Sequence, residues 1–311
     1  MTKTGKWILF STLGLVFLVA LSCIILGVTM MGGNRGSNSP IAIVRMEGVI
    51  SSTEPIVDDL KKCLDDPGIK VVIMRLNTPG GVVAPVQEIT GIIKRLRDKG
   101  KIVIASQESV SASGGYYIAC TCNQIVTNPG TITGSIGVIL SIPSLKGLLE
   151  KVGVGVRVVK SGEMKDSGSP WRELSPNEEQ IILTMVMDVY QQFLDTVVAG
   201  RSEAIRNLWA KNRKVAPEQI DAAEIAAYIK SIADGRTFSG SQAVQWGMAD
   251  RLGSLEDAID LARELAGAPE DKSPPREFVH RKGLLSELLT ENPIHDVTST
   301  FTEVSIRFQL Y

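Results

Sequence analysis

The sequence predicts an α/β fold with a parallel sheet, carried behind an N-terminal membrane anchor. Three observations predict it. Short aliphatic runs alternate with helical periodicity: residues 70–76 (KVVIMRL), then residues 85–98 with Ile89, Ile92, Ile93 and Leu96 at helical spacing, then residues 101–105. Strand, helix and strand in that order give a right-handed crossover and a parallel pair. The composition is 44% hydrophobic but only 5% aromatic, which fits an aliphatic sheet core plus a membrane segment. Finally, residues 7–34 carry no charge and residues 8–31 are strongly apolar, enough for the roughly 20 residues that a bilayer crossing takes.

Lys3 and Lys6 lie in the short segment 1–6, ahead of the apolar run 7–31. A cleaved signal peptide is the rival reading, but its apolar region is about 7–15 residues long and ends in a small-residue cleavage site. This run is longer, and no clear A-x-A pattern follows it. Cys23 does not read as a lipoprotein site, because apolar residues continue through Val28. The run therefore reads as a retained transmembrane signal anchor. The lysines ahead of it place the N-terminus in the cytoplasm and everything after Arg35 outside it.

Residues 32–40 form a Gly/Asn/Ser linker. A strand is expected over 41–46, a short helix over 54–66, and the β-α-β unit follows. Residues 77–81 (NTPGG) make a sharp turn at the end of its first strand, and residues 109–115 (SVSASGG) follow its second. Sites in open α/β sheets gather at such C-terminal strand ends. Further strands are expected over 124–127 and 155–160, with helices over 145–152, 176–199, 239–247 and 255–266. Residues 161–170 read as a polar loop, and residues 201–233 are rich in helix formers. Residues 268–277 (APEDKSPPRE) form a Pro/charge linker. In the tail, 278–311, residues 301–311 are of strand type, able to add to a sheet edge.

Composition excludes several classes. With 33 basic and 34 acidic residues the net charge is −1, so no basic surplus points to nucleic acid. No GxGxxG or P-loop pattern occurs. Of four cysteines, Cys120 and Cys122 are two apart, and no second Cys or His cluster completes a metal site; buried free thiols are expected. Only two histidines occur, His280 and His295, both beyond the Pro-rich break. A Ser-His-Asp triad, a Cys-His dyad and an HExxH zinc site all lack a core histidine. No metal or organic cofactor is expected.

The turn 109–115 is one candidate site. A serine followed by two glycines, between strand and helix, brings a hydroxyl to a helix start with unpaired N–H groups. By itself the turn reads first as a polar connection with a serine cap, since such turns are common in α/β proteins. A nucleophilic serine needs a base, and without a core histidine lysine is the next choice. Bringing a lysine from about 10.4 to a working value near 7–8 costs roughly 3–4 kcal/mol. Lys160 and Lys165 both lie near the right strand end, and spacing does not choose between them. An oxyanion wants two N–H donors; Gly81 and Gly114 could supply one each, and a β-α turn with no catalytic use is an equal reading of residues 77–81.

Taken in order, residues 77–81 (NTPGG), 112–119 (ASGGYYIA), 133–138 (TGSIGV), 160–166 (KSGEMKD), 237–243 (TFSGSQA) and 247–253 (GMADRLG) resemble the signal peptide peptidase A family, in its short form with one copy of the domain. The likeness spans about residues 41–267. It implies a fold of the caseinolytic-protease/crotonase type with an additional helical region, and a membrane-anchored serine protease with a Ser/Lys dyad. Residue by residue it implies Ser113 as nucleophile, Lys165 as general base, Gly81 and Gly114 as oxyanion donors, and Ser135 as a partner orienting the lysine amine. It also implies a homo-oligomeric ring whose dyads can combine neighbouring subunits, acting on apolar peptides such as remnant signal peptides. The turn reads Thr78-Pro79-Gly80-Gly81 where Ser-Pro-Gly-Gly is equally familiar, and residues 201–235 match less closely. The resulting division is 1–6 cytoplasmic, 7–31 anchor, 32–40 linker, 41–267 peptidase domain, 268–277 linker and 278–311 tail. An acyl-CoA enzyme of the crotonase type and a non-catalytic membrane scaffold are the alternatives. An export anchor argues against the first, and an intact Ser/Lys pair against the second.

Overall fold

The computed structural model describes residues 38–278 and the backbone of Gln309 and Leu310. The anchor expected at 7–31 lies outside the described residues, as does most of the 32–40 linker. Two compact units divide the chain, Met1–Asn38 and Ser39–Tyr311, and the second holds everything below.

Its elements run β1 (Ile41–Glu47), α1 (Ile56–Asp65), β2 (Val71–Thr78), β3 (Gly81–Val82), α2 (Val83–Asp98), β4 (Ile102–Ala112) and α3 (Gly114–Ala119). They continue with β5 (Gln124–Thr127), β6 (Ile132–Gly134), α4 (Lys146–Val152), a 3-10 turn Glu163–Asp166, α5 (Pro176–Arg213), a 3-10 turn Pro217–Gln219 and α6 (Ala222–Ile232). Last come β7 (Thr237–Ser239), α7 (Gly240–Gln245), β8 (Arg251–Leu252), α8 (Leu255–Leu265), β9 (Arg276–Glu277) and β10 (Gln309–Leu310).

The main sheet runs β7-β6-β4-β2-β1-β9, with β5 also on β4 and β8 on β5. Every pair in it is parallel except β6–β7. Parallel strands are covered on both faces, which is why they read as unbroken aliphatic runs. Successive residues point to opposite faces. Ile41 and Ile43 join Ile73, Ile104 and Val126 against Ala258 and Ala262 of α8. Ala42, Val44 and Met46 face the larger cluster, with Leu60 of α1, Ile93 of α2, Tyr116 of α3, Phe193 of α5 and Ile229 of α6. The expected α/β fold with a parallel-dominated sheet and a further helical region is observed.

β4 is the hub. It pairs in register with β2 from Val71↔Ile102 to Leu76↔Gln107, and then the register jumps to Thr78↔Ser111. β2 advances by two residues while β4 advances by four, a bulge of the kind that re-aims a strand end. The first half of β4 also pairs with β5, and its last three residues, Val110–Ala112, pair with β6. The strand expected to stop at residue 105 therefore continues to Ala112 and delivers Ser113. Its aliphatic run ends early because Ser106 and Gln107 face buried polar partners.

Helix α5 starts in a capping box. The Ser175 hydroxyl accepts from Glu178 N–H, and the Glu178 carboxylate accepts from Ser175 N–H, with Pro176 in the first turn. It runs to Arg213, well past the expected residue 199. Among the described residues it is the one helix long and apolar enough to cross a membrane, by length and composition alone. Its second half is built into the core by Phe193, Leu194, Val197 and Ile205. Buried Arg201 there forks onto Asp250 at 2.9 and 3.0 Å and onto the Gly247 carbonyl at 2.8 and 3.0 Å.

Two further expectations are corrected. Residues 155–160 form no strand: all are exposed and none pairs with a neighbour strand, so alternating valines without an open sheet edge stay irregular. The 268–277 linker ends in β9, which adds parallel to β1 at the sheet edge and is fastened by Arg276 to Asp66 at 2.6 Å and by Arg45 to Glu277 at 3.1 Å. The tail strand β10 pairs antiparallel with β3, Leu310 opposite Gly81 and Gln309 opposite Val82.

Candidate functional site

Ser113 stands between the end of β4 and the first turn of α3. Its backbone sits at φ 51° and ψ −112°, a region that side chains other than hydrogen avoid and that proteins hold by surrounding structure. That structure is visible. Its N–H donates to the Gly134 carbonyl at 2.7 Å, and its carbonyl accepts from Tyr117 N–H at 2.8 Å to open α3. The side chain caps nothing. Its hydroxyl is fully buried and has no hydrogen-bond partner among the described residues. A serine cap is thereby set aside as the reason for this residue.

The neighbouring serines are used otherwise. Ser111 is buried, and its hydroxyl accepts from the Gln107 amide at 3.2 Å while its carbonyl accepts from the Thr133 hydroxyl at 2.7 Å. Gln107 also donates to Thr133 at 3.0 Å. Ser109 is exposed on the bulge.

The start of α3 presses on the turn after β2. A Cβ on Gly114 would lie 3.3 Å from the Gly81 nitrogen, 3.2 Å from the Gly80 Cα and 2.9 Å from Val86 Cγ2. Only hydrogen fits. A Cβ on Gly81 would run into the Ile50 backbone, 2.2 Å from its carbonyl oxygen. The turn itself is stitched by Gly80 N–H donating to Thr78 Oγ1 at 3.2 Å and by Ile50 N–H donating to the Gly80 carbonyl at 2.9 Å. Gly114 is the first residue of α3, where the helical ladder offers its N–H no acceptor. Gly81 and Gly114, the two expected donors, are thus in close backbone approach next to Ser113.

Ser135 follows Gly134, whose carbonyl receives the Ser113 N–H. It also has a positive φ, 53°, and its N–H donates to the Arg236 carbonyl at 2.8 Å. Ser113, Gly114, Gly81 and Ser135 are therefore gathered by β4, α3, β3 and β6. Lys165 is placed differently. It lies on the exposed 3-10 turn Glu163–Asp166, and no hydrogen bond joins it to Ser113 among the described residues.

The two candidate lysines differ in what they touch. Lys160 Nζ is bound to Asp166 Oδ1 and to the Glu163 carbonyl, each at 2.7 Å. Lys165 Nζ makes no hydrogen bond or ion pair among the described residues. Below this turn sits a charged cluster that the sequence did not announce. Arg172 holds Asp166 and Glu178 together, and its hydrogen bonds keep both carboxyls well below the usual carboxylate range. The Ser175-x-x-Glu178 capping pattern was the available signal for Glu178; nothing in spacing marked Arg172.

Beside this turn is an apolar hollow of about 200 Å³ lined by Leu140, Met164, Ile181, Ile182 and Met185. No cluster of three or more His, Cys, Asp or Glu side chains suited to a metal occurs among the described residues. Cys63, Cys120 and Cys122 are buried free thiols, and burial pushes Cys63 and Cys120 up to about 12.

Residues 95–220 match the model of Peptidase family S49. The chain is 42% identical over 233 residues to a protein of Synechocystis sp. with the provisional name of protease slr0021, covering 75% of this chain and 76% of that one. It is 32% identical over 241 residues to an Enterococcus faecium protein provisionally named signal peptide peptidase SppA, covering 73% of this chain and 64% of that one. It is also 31% identical over 240 residues to Protease 4 of Haemophilus influenzae, covering 74% of this chain and 35% of that longer protein.

Proposed function

The chain belongs to the signal peptide peptidase A family, peptidase family S49, and from that premise we propose that it is a membrane-anchored serine endopeptidase working through Ser113 and Lys165. The observation that carries this reading is the Ser113 hydroxyl: buried, without a partner among the described residues, and held at positive φ beside the Gly81–Gly114 contact. Lys165 takes the hydroxyl proton as Oγ bonds to the peptide carbonyl carbon. The oxyanion sits between the N–H groups of Gly81 and Gly114. The C–N bond then breaks, the amine leaves with the proton from Lys165, and water activated by the same lysine hydrolyses the acyl-enzyme. Ser135 orients the lysine amine.

The β3 edge supports an extended peptide as substrate, since it accepts β10 as an antiparallel strand at Gly81 and Val82. The apolar hollow beside the Lys165 turn favours apolar side chains, in keeping with remnant signal peptides. Exposed apolar residues such as Leu148, Val152, Val159, Leu183 and Met187 favour assembly with further copies, in which a neighbouring subunit completes the dyad. The anchor at 7–31 places the catalytic domain outside the cytoplasm. The test is turnover of a quenched fluorescent peptide with an apolar signal-peptide sequence by the detergent-solubilised protein. Cleavage that is lost in Ser113→Ala and in Lys165→Ala supports the reading; cleavage that persists in Ser113→Ala overturns it.

A further inference from the structure

The turn that carries Lys165 is weakly held by its own backbone. Lys165 N–H reaches the Gly162 carbonyl and Ser167 N–H the Met164 carbonyl, each at 3.2 Å. What fastens it is the next residue. Asp166 receives Arg172 Nε on Oδ2 at 3.0 Å and Arg172 Nη2 on Oδ1 at 2.7 Å, a two-pronged fork. The other side of the same guanidinium grips Glu178, with Nη1 on Oε2 at 2.8 Å and Nη2 on Oε1. Glu178 is only 3% exposed. It also takes Ser175 N–H and the Ser167 hydroxyl, each at 2.8 Å. It stands at the third position of α5, whose second half lies in the core. Arg172, together with the Ser167 hydroxyl, thus links a loose turn to a rigid helix.

The charges balance as well as the geometry. Lys160 and Arg172 face Asp166 and Glu178, two positive groups against two negative. The other carboxylates of this region are Glu163 on the turn, Glu173 after Arg172, which accepts from the Ser144 hydroxyl at 3.1 Å, and Glu179 in the first turn of α5. Asp166 is the immediate neighbour of Lys165 in the chain, yet its carboxylate is occupied by Arg172 and Lys160.

Resting on the reading of Lys165 as general base, we propose that Arg172 is its positioning residue: it locks the Lys165 turn onto the start of α5 and keeps the Asp166 carboxylate engaged away from the lysine amine. Two consequences follow from the two halves of that role. Releasing the turn misplaces the base. Removing Arg172 leaves Asp166 with Lys160 as its remaining charged partner, so more of its negative charge acts on the adjacent Lys165, which favours the charged lysine and delays its appearance as a base to higher pH.

The test is steady-state cleavage of the apolar peptide across pH by the full chain, comparing wild type, Arg172→Met, Arg172→Lys, Arg172→Met with Asp166→Asn, and Lys165→Ala. Arg172→Met is expected to lower kcat by about tenfold to a hundredfold. It should also move the acid limb of kcat/KM upward by about one pH unit. Arg172→Lys still neutralises Asp166 but cannot fork onto Glu178, so kcat falls while the limb stays near its wild-type place. The double variant returns the limb without restoring kcat. An acid limb in Arg172→Met at the wild-type position overturns the proposal, as does a limb in Arg172→Lys displaced as far as in Arg172→Met. If the methionine variant does not fold, an acid limb in Arg172→Lys displaced from wild type by about one pH unit overturns the proposal by itself. Full activity in Lys165→Ala would instead remove the assignment of the base, whatever Arg172 does.

Discussion

Gly114 and Gly81 meet backbone to backbone: a methyl group on Gly114 would lie 3.3 Å from the Gly81 nitrogen. The two proposed oxyanion donors are thus packed together: the Gly80-Gly81 turn and Val86 leave no room for a side chain at Gly114, and the Ile50 backbone leaves none at Gly81. Gly114→Ala is expected to lower kcat by about tenfold to a hundredfold, because pushing the turn aside displaces both N–H groups from the reacting carbonyl. Gly81→Ala, whose methyl would meet the Ile50 backbone at 2.2 Å, should also lower the melting temperature markedly. Peptide kinetics and thermal melts separate the two; a fully active Gly114→Ala would contradict the donor arrangement.

Arg201 and Asp250 join α5 to the loop before β8, with Arg201 buried to 2% exposure. Arg201→Met takes the charged partner from the Asp250 carboxylate, leaving it the Ile125 N–H, and removes both Arg201 donors from the Gly247 carbonyl. A loss of about 3 kcal/mol in denaturant unfolding is expected. A loss too small to measure would mean that the pair contributes little to holding α5.

The described thiols are shielded by burial, which raises the pKa of Cys63 and Cys120 to about 12 and that of Cys122 further. Since the thiolate is the reactive form, these groups stay protonated near pH 8. A colorimetric thiol reagent should modify none of the three in the native protein and all three after unfolding in guanidinium. Rapid native labelling at any of them, mapped by peptide mass, would count against the packed core around α3.

β10 occupies the β3 edge at Gly81 and Val82, where a peptide substrate would add. A tethered segment competes at an effective concentration on the order of millimolar. Deleting residues 279–311 should therefore lower KM and leave kcat unchanged. An unaltered KM would show that β10 does not compete with substrate.

The sheet and its helices were legible because their patterns are strong: Ile41, Ile43, Val71 and Ile73 share one face of the sheet, Ala42, Val44, Val72 and Met74 the other, and Ile89, Ile93 and Leu96 line one stripe. The end of β4 was not, because Gln107 and Ser111 carry a buried polar network that interrupts the aliphatic run while the strand continues. Residues 155–160 misled in the opposite way, having strand composition but no partner. Ser113 stood out through the absence of a core histidine and the glycines after it. The Lys165 loop and the Gly80-Gly81 turn already set Ser113 apart from Ser109 and Ser111; the structure adds that Ser109 is exposed and that Ser111 is held by Gln107 and Thr133. Arg172 was invisible because its two carboxylates come from both sides of it in sequence, six residues away in each direction, and only the folded loop brings them together.

The central claim is that Ser113 is the nucleophile and that Lys165, not Lys160, activates it. Labelling with a fluorophosphonate probe tests it most directly, with the adduct mapped by mass spectrometry in wild type, Ser113→Ala, Lys165→Ala and Lys160→Ala. The account predicts one adduct on Ser113 in wild type, none in Ser113→Ala, strongly slowed labelling in Lys165→Ala and labelling retained in Lys160→Ala. Undiminished labelling of Ser113→Ala, or loss of labelling in Lys160→Ala with Lys165→Ala unaffected, would contradict it.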